Sequence, residues 1–194
     1  MKYTSLFLFL FCTFLVIGQE DAAVFPTTER NTIYSQHLGE DRSYQIYLPP
    51  SYYYSDKGTY PVIYLVDGDY NFYYQTGIIE SLATVSEKIP EVIVVGIADK
   101  GNAGYRLNCT MPSVANEKGN SPTFRKFIEE ELKPVITEKY RASTYDILIG
   151  HSLGGLFVTD YLLENPSAFD SYIAIDPSYW WDDYAIINLS LIHI

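Results

Sequence analysis

Ile149-Gly150-His151-Ser152-Leu153-Gly154-Gly155 stands between a β-branched run, Asp146 to Ile149, and an apolar-periodic stretch that runs from Leu153 to about Glu164 and stops before Pro166. A Gly-x-Ser-x-Gly pentapeptide placed between strand and helix is the pattern of a sharp turn that lifts a serine hydroxyl above the end of a sheet. The glycines give room for the tight backbone and for close approach of the helix. The plainer alternative is a glycine-rich turn carrying an ordinary serine, and the strand-to-helix placement favours the elbow. Ser152 is therefore the candidate nucleophile, and the Leu153 N–H, at the start of the following helix, is aimed at an oxyanion forming beside it.

Outward from the elbow, Pro61 to Val66, Glu91 to Ile97 and Tyr172 to Ile175 are short continuous apolar runs like Asp146 to Ile149, as expected of parallel strands buried on both faces. Tyr73 to Lys88 and Pro122 to Tyr140 carry apolar residues at helical spacing, the second opening on Ser121-Pro122. Upstream, Thr32 to Leu38 and Ser43 to Leu48 alternate as antiparallel strands should. The order predicts an α/β fold: a mostly parallel sheet with helices on both faces and antiparallel strands at the N-terminal side. The Gly-, Asn- and Ser-rich segment Ala98 to Asn120 follows the carboxyl end of a strand, where open α/β sheets bind ligands.

Residues 1–18 read as a secretory signal peptide. Lys2 precedes the apolar run Leu6 to Ile17, and after Gly18 the chain turns polar at Gln19-Glu20-Asp21. The expected product is secreted or periplasmic, a single domain from residue 19 to 194 without a stable membrane anchor. Thirteen Lys plus Arg against 24 Asp plus Glu, a net charge of -11, argue against nucleic acid as a partner. Nineteen tyrosines suit a wet, ring-lined cleft. Once the signal is removed only Cys109 remains, so a structural disulfide within the domain is excluded and a buried thiol or an intermolecular pair is left. No zinc signature occurs, and neither metal nor cofactor is expected. Asn108-Cys109-Thr110 and Asn188-Leu189-Ser190 fit the glycosylation sequon.

A second element is Tyr64-Leu65-Val66-Asp67-Gly68-Asp69, where a buried strand ends in Asp-Gly and runs into a helix. Acyl transfer needs a second N–H donor opposite the nucleophile, and the loop after this strand is where it would come from; a solvated Asp-Gly turn is the alternative. Together with the elbow, Val94-Val95-Gly96-Ile97, Arg106 and Asp176-Pro177-Ser178-Tyr179-Trp180-Trp181, these residues resemble the putative esterase family of α/β-hydrolases, which includes esterase D, enterochelin esterase and feruloyl esterase domains. The resemblance covers most of the chain after the signal. It implies an α/β-hydrolase fold, carboxylic ester hydrolysis through an acyl-enzyme on Ser152, and an oxyanion hole formed by the N–H groups of Asp69 and Leu153.

Two departures from the family pattern stand out: Asp176 replaces the usual serine, and the familiar pattern stops after Asp183, leaving the apolar tail Tyr184 to Ile194 with no helix cap or clear amphipathicity. A triad needs an acid and a histidine after the serine, yet one histidine, His193, follows Ser152. The expectation is a C-terminally incomplete esterase, with the last strands, the acid and the base in a segment beyond residue 194. An improvised triad of Ser152, Asp176 and His193 is the alternative within the chain. Arg106 is a candidate for an anionic or hydroxylated part of a small-molecule or carbohydrate ester, and Trp180 and Trp181 for a flat wall. A solvated loop charge and ordinary packing rings are the plain alternatives for these three. Beside hydrolysis stand transfer to another alcohol and a non-catalytic carbohydrate- or siderophore-binding homologue. A cytoplasmic esterase of the esterase D type conflicts with the signal peptide.

Overall fold

Side chains alternate across each central strand, and each face of the sheet has its own core. The computed structural model describes residues 28–99, 105–113 and 117–190. Its strands are β1 (Glu29–Ser35), β2 (Glu40–Tyr47), β3 (Tyr60–Leu65), β4 (Ile93–Ile97), β5 (Ala142–His151) and β6 (Ser171–Ile175). Among the described residues they form one six-stranded sheet in the order β1-β2-β4-β3-β5-β6. β1 and β2 are antiparallel to each other, and β2 is antiparallel to β4. β4, β3, β5 and β6 run parallel.

On one face Val62, Tyr64, Ile93, Val95 and Leu148 pack under α3 (Ser121–Lys126), α4 (Lys133–Lys139) and α5 (Leu153–Glu164). A π-helical stretch, Phe127–Leu132, joins α3 to α4 and adds Phe127, Ile128 and Leu132 to that core. On the other face Ile63, Leu65, Val94 and Ile149 meet Phe72 and Ile79 of α2 (Gly68–Glu80). The fold is thus of the α/β-hydrolase type that the sequence predicts, a mixed sheet with helices on both sides.

The elements differ from expectation at their ends. β1 and β2 start three residues early, because polar side chains at an outer strand blur the alternation. α2 starts at Gly68, five residues before the periodic stretch, since its exposed face carries Tyr70, Tyr73 and Tyr74, which weaken the apolar contrast. The tail after Asp183, expected to lack helical character, forms a short α6 (Ala185–Ser190) that buries Ile186 in the α5-side core. Residues 1–18 lie outside the described residues.

β6 is the one strand expected to be buried on both faces that is not. Ile173 and Ile175 are 44% and 39% exposed, because β6 is the outer strand of the described sheet and α2 does not reach over it. There the sheet floors an apolar groove of about 660 Å³, walled by Ile63, Ile79, Val92, Ile147 and Ile173. None of the candidate site residues lines that groove.

Candidate active site

The elbow is built by three glycines and one strained residue. β5 ends at His151, and α5 begins at Leu153, so the chain must reverse within Ser152. Its φ of 57° and ψ of −116° lie in a region that favours glycine. A methyl at Gly150 would stand 2.3 Å from the Gly154 carbonyl oxygen, and one at Gly155 would stand 3.1 Å from the Ile175 oxygen and Pro177 Cα. Small residues are therefore required on both sides of the serine. The Ser152 N–H donates to the Ile175 oxygen at 3.1 Å, and the Ser178 N–H donates to the Ser152 oxygen at 3.0 Å, so the end of β6 straps the elbow in place.

β3 lies beside β5 in parallel register, Leu65 opposite Ile149, and the two chains leave the sheet at the same level. Asp67 then takes a left-handed conformation (φ 57°, ψ 41°), which aspartate tolerates better than most residues, and α2 starts at the next residue. Gly68 has no room for a side chain, because a Cβ there would lie 2.5 Å from the Gly96 carbonyl carbon on β4. Across the turn, a methyl on Gly154 would stand 3.1 Å from Asp67 Oδ2, which places the Asp-Gly turn against the first turn of α5. Asp69 and Leu153 thus both stand in the first turn of a helix, where N–H groups point beyond the helix start. The Asp69 carboxylate is turned away to Arg30 and to the Asp99 N–H, the latter at 2.9 Å.

Asp67 is buried, and Arg106 Nη2 sits 3.3 Å from its Oδ2. Burial raises the carboxyl above its ordinary value of 3.8, Asp99 adds to the rise, and the Arg106 charge opposes it. Asp67 Oδ1 and Arg106 Nε are both buried without a hydrogen-bond partner among the described residues. Arg106 therefore packs under the Asp-Gly turn while its side chain remains 42% exposed. Trp180 projects to solvent, 62% exposed, and Trp181 packs partly buried against the α5-side core, its indole N–H buried without a hydrogen-bond partner among the described residues.

Sequence reasoning does not single out Ser178, since Asp-Pro-Ser reads as a plain turn. It is nevertheless 3% exposed, and its Oγ lies 3.1 Å from Ser152 Oγ. The signal that could have found it is a hydroxyl residue shortly after the strand that neighbours the elbow strand. Asp176 is exposed with φ 42°, the left-handed residue that turns the chain back toward Ser178. His37 bonds Glu130 at 2.8 Å and has no contact with the elbow, His151 is exposed at the end of β5, and His193 lies outside the described residues.

Cys109 is fully buried, and burial pushes its thiol up, so the buried-thiol reading holds and intermolecular pairing does not. Asn108 is also buried and accepts from Asn120 Nδ2 at 3.0 Å, so that sequon sits inside the fold and not on its surface. Among the described residues no cluster of three or more His, Cys, Asp or Glu side chains could hold a metal ion. No described helix is long and apolar enough to cross a membrane. What the arrangement offers chemically is a strained, part-buried hydroxyl between two helix starts, with a half-exposed cation, Arg106, beside the Asp67 turn.

Residues 35–186 match the family model described as "Putative esterase". The ferri-bacillibactin esterase of Bacillus subtilis is 34% identical over 190 residues, covering 88% of this chain and 65% of that protein. The siderophore triacetylfusarinine C esterase of Aspergillus fumigatus is 29% identical over 142 residues, covering 68% of this chain and 49% of that protein. Among solved structures, an IroE-like serine hydrolase from Shewanella oneidensis superposes with a TM-score of 0.75 at 30% identity over 86% of this chain and 55% of that one. The chain spans about half to two thirds of the length of these relatives.

Proposed function

The chain belongs to the "Putative esterase" family, and on that footing we propose that it is a secreted or periplasmic serine hydrolase that cleaves a siderophore ester. Ser152 Oγ attacks the ester carbonyl, and the N–H groups of Asp69 and Leu153 hold the oxygen that becomes negative. The serine proton passes to a histidine outside the described residues and from there to the leaving alcohol. Water then attacks the acyl-enzyme and releases the acid. Arg106 and Trp180 face the substrate as a half-exposed cation and an exposed ring, and Trp181 supports the loop that presents Trp180.

The observation that carries this reading is the strained backbone of Ser152 at a strand-to-helix turn, set directly against the Asp67-Gly68 turn. Strain of this kind persists where surrounding structure over-determines it, and here three backbone groups hold Ser152: the Ile175 oxygen and the N–H groups of Leu156 and Ser178. The siderophore class is supported by relatives named for bacillibactin and triacetylfusarinine C. An apolar run at residues 6–17 supports export.

The test is to incubate the full chain, and its Ser152→Ala variant, with ferri-bacillibactin and with triacetylfusarinine C and to follow the products by chromatography. Cleavage of at least one by the parent chain and not by the variant is expected. Saturable binding of either compound by both proteins without cleavage would make the chain a binding homologue instead. Ester exchange with an added alcohol in place of hydrolysis would make it an acyltransferase.

A further inference from the structure

We infer that Ser178 is a catalytic hydroxyl, one that donates a hydrogen bond to Ser152 Oγ as the nucleophile loses its proton. The inference rests on the serine-hydrolase reading above. Ser178 Oγ lies 3.1 Å from Ser152 Oγ, and the described residues offer Ser152 Oγ no other hydrogen-bond partner. The contact does not depend on a loose side chain. Ser178 is 3% exposed, its N–H donates to the Ser152 oxygen at 3.0 Å, and its own oxygen accepts from the Trp181 N–H at 3.0 Å. Tyr179, the next residue, is tied to α5 by a 3.1 Å contact between its hydroxyl and Thr159 Oγ1. The strap Ile175–Ser178 thus anchors both backbone groups of the nucleophile and brings one hydroxyl to its side-chain oxygen.

A hydroxyl can play either part in such a pair. At rest Ser178 accepts the Ser152 proton or donates its own. When the base withdraws the Ser152 proton, Oγ becomes an acceptor only, and Ser178 is left as the donor. Its O–H bond stays intact throughout: the proton that moves is that of Ser152, the bond that forms joins Ser152 Oγ to the acyl carbon, and the carbonyl electron pair moves to the oxyanion. The hydrogen bond to Oγ is strongest while charge develops there, which favours the transition state over the resting enzyme. A purely structural Ser178 would hold the strap and leave the reactivity of Oγ unchanged.

Labelling with a fluorophosphonate probe separates these cases, since the probe reacts with an activated serine without needing the natural ester. The second-order labelling rate of the full chain is measured by intact mass alongside its melting temperature, for the parent, Ser178→Ala, Ser178→Thr and Ser178→Cys. Loss of one charge-assisted hydrogen bond predicts labelling on the order of tenfold slower for Ser178→Ala. Ser178→Thr, which keeps the hydroxyl, is expected within about threefold of the parent on the same scale. If Ser178→Ala does not fold, Ser178→Cys decides: an intermediate rate, from its weaker donor, supports the inference, and the parent rate overturns it. Parent-rate labelling of folded Ser178→Ala, or Ser178→Thr as slow as Ser178→Ala, also overturns it. A parent chain that is not labelled at Ser152 defeats the serine-hydrolase reading itself, an outcome distinct from a failure at Ser178.

Discussion

The Val66 N–H donates to the Ile149 carbonyl at 2.9 Å, one bond beyond the paired residues Leu65 and Ile149. That bond is the last rung between β3 and β5, and past it both chains enter their turns side by side. The Asp67-Gly68 turn and the Ser152 elbow are therefore placed by the parallel register of two neighbouring strands. A slip of one residue would carry every side chain of β3 to the opposite face and move Asp69 away from Leu153.

Strain at Ser152 predicts a stability gain on its removal. Ser152→Gly and Ser152→Ala lose the same hydroxyl contact, but glycine alone relaxes the backbone at φ 57°. The glycine variant should be more stable than the alanine variant by about 1 kcal/mol, the lower end of such strain after glycine's entropy cost. That corresponds to roughly 2–4 °C in melting temperature for a chain of this size. Calorimetry of the two variants checks it, and equal midpoints would show an unstrained elbow.

Two glycines of α2 should respond in opposite directions. A Cβ at Gly68 meets the Gly96 backbone at 2.5 Å, whereas one at Gly77 meets nothing within 4 Å. Gly68→Ala is expected to cost about 2–3 kcal/mol through overpacking and to lower ester cleavage with it, because Asp69 shifts. Gly77→Ala is expected to stabilise by about 0.5–1 kcal/mol with activity unchanged. Urea denaturation together with an aryl-ester assay reads both.

Asp67 predicts a pH dependence of a definite sign. Its folded pKa is raised above the ordinary 3.8, first by burial, so the folded chain holds a proton that the unfolded chain has released. Its contribution to stability is therefore greatest below the unfolded value and is lost as pH rises through the raised folded value. Asp67→Asn, which also tolerates the left-handed backbone, should flatten the stability profile over that window. An unchanged slope would mean that Arg106 fully offsets burial.

The two tryptophans should separate binding from packing. Trp180→Ala, at a 62% exposed position, is expected to change stability by less than about 0.5 kcal/mol and to raise KM for an aromatic ester. Trp181→Ala removes a ring packed on the core and is expected to cost about 3 kcal/mol. Steady-state kinetics and thermal melts of both variants check this, and a Trp180→Ala variant with unaltered KM would remove that ring from the binding surface.

The sequence made the elbow legible because its chemistry leaves a local mark: glycines at Gly150 and Gly154 around one serine, between a β-branched run and a helix. The central strands were legible for a similar reason, as burial on both faces leaves runs such as Val92 to Ile97. What stayed hidden depends on contacts distant along the chain. The start of α2 at Gly68 is set by its fit against Gly96, not by apolar spacing. Ser178 acquires its place only when β6 pairs with β5 and brings the strap to the elbow. The exposure of Ile173 and Ile175 follows from the position of β6 at the outer side of the described sheet, which composition does not record.

Whether Ser152 carries the acyl group is decided by a rapid-quench reaction of the full chain with p-nitrophenyl acetate, followed by peptide mass mapping. A burst of nitrophenolate and an acetyl group on the peptide that contains Ser152, both absent from Ser152→Ala, are expected. Acetylation at another residue, or hydrolysis that continues undiminished in Ser152→Ala, would contradict that role for Ser152.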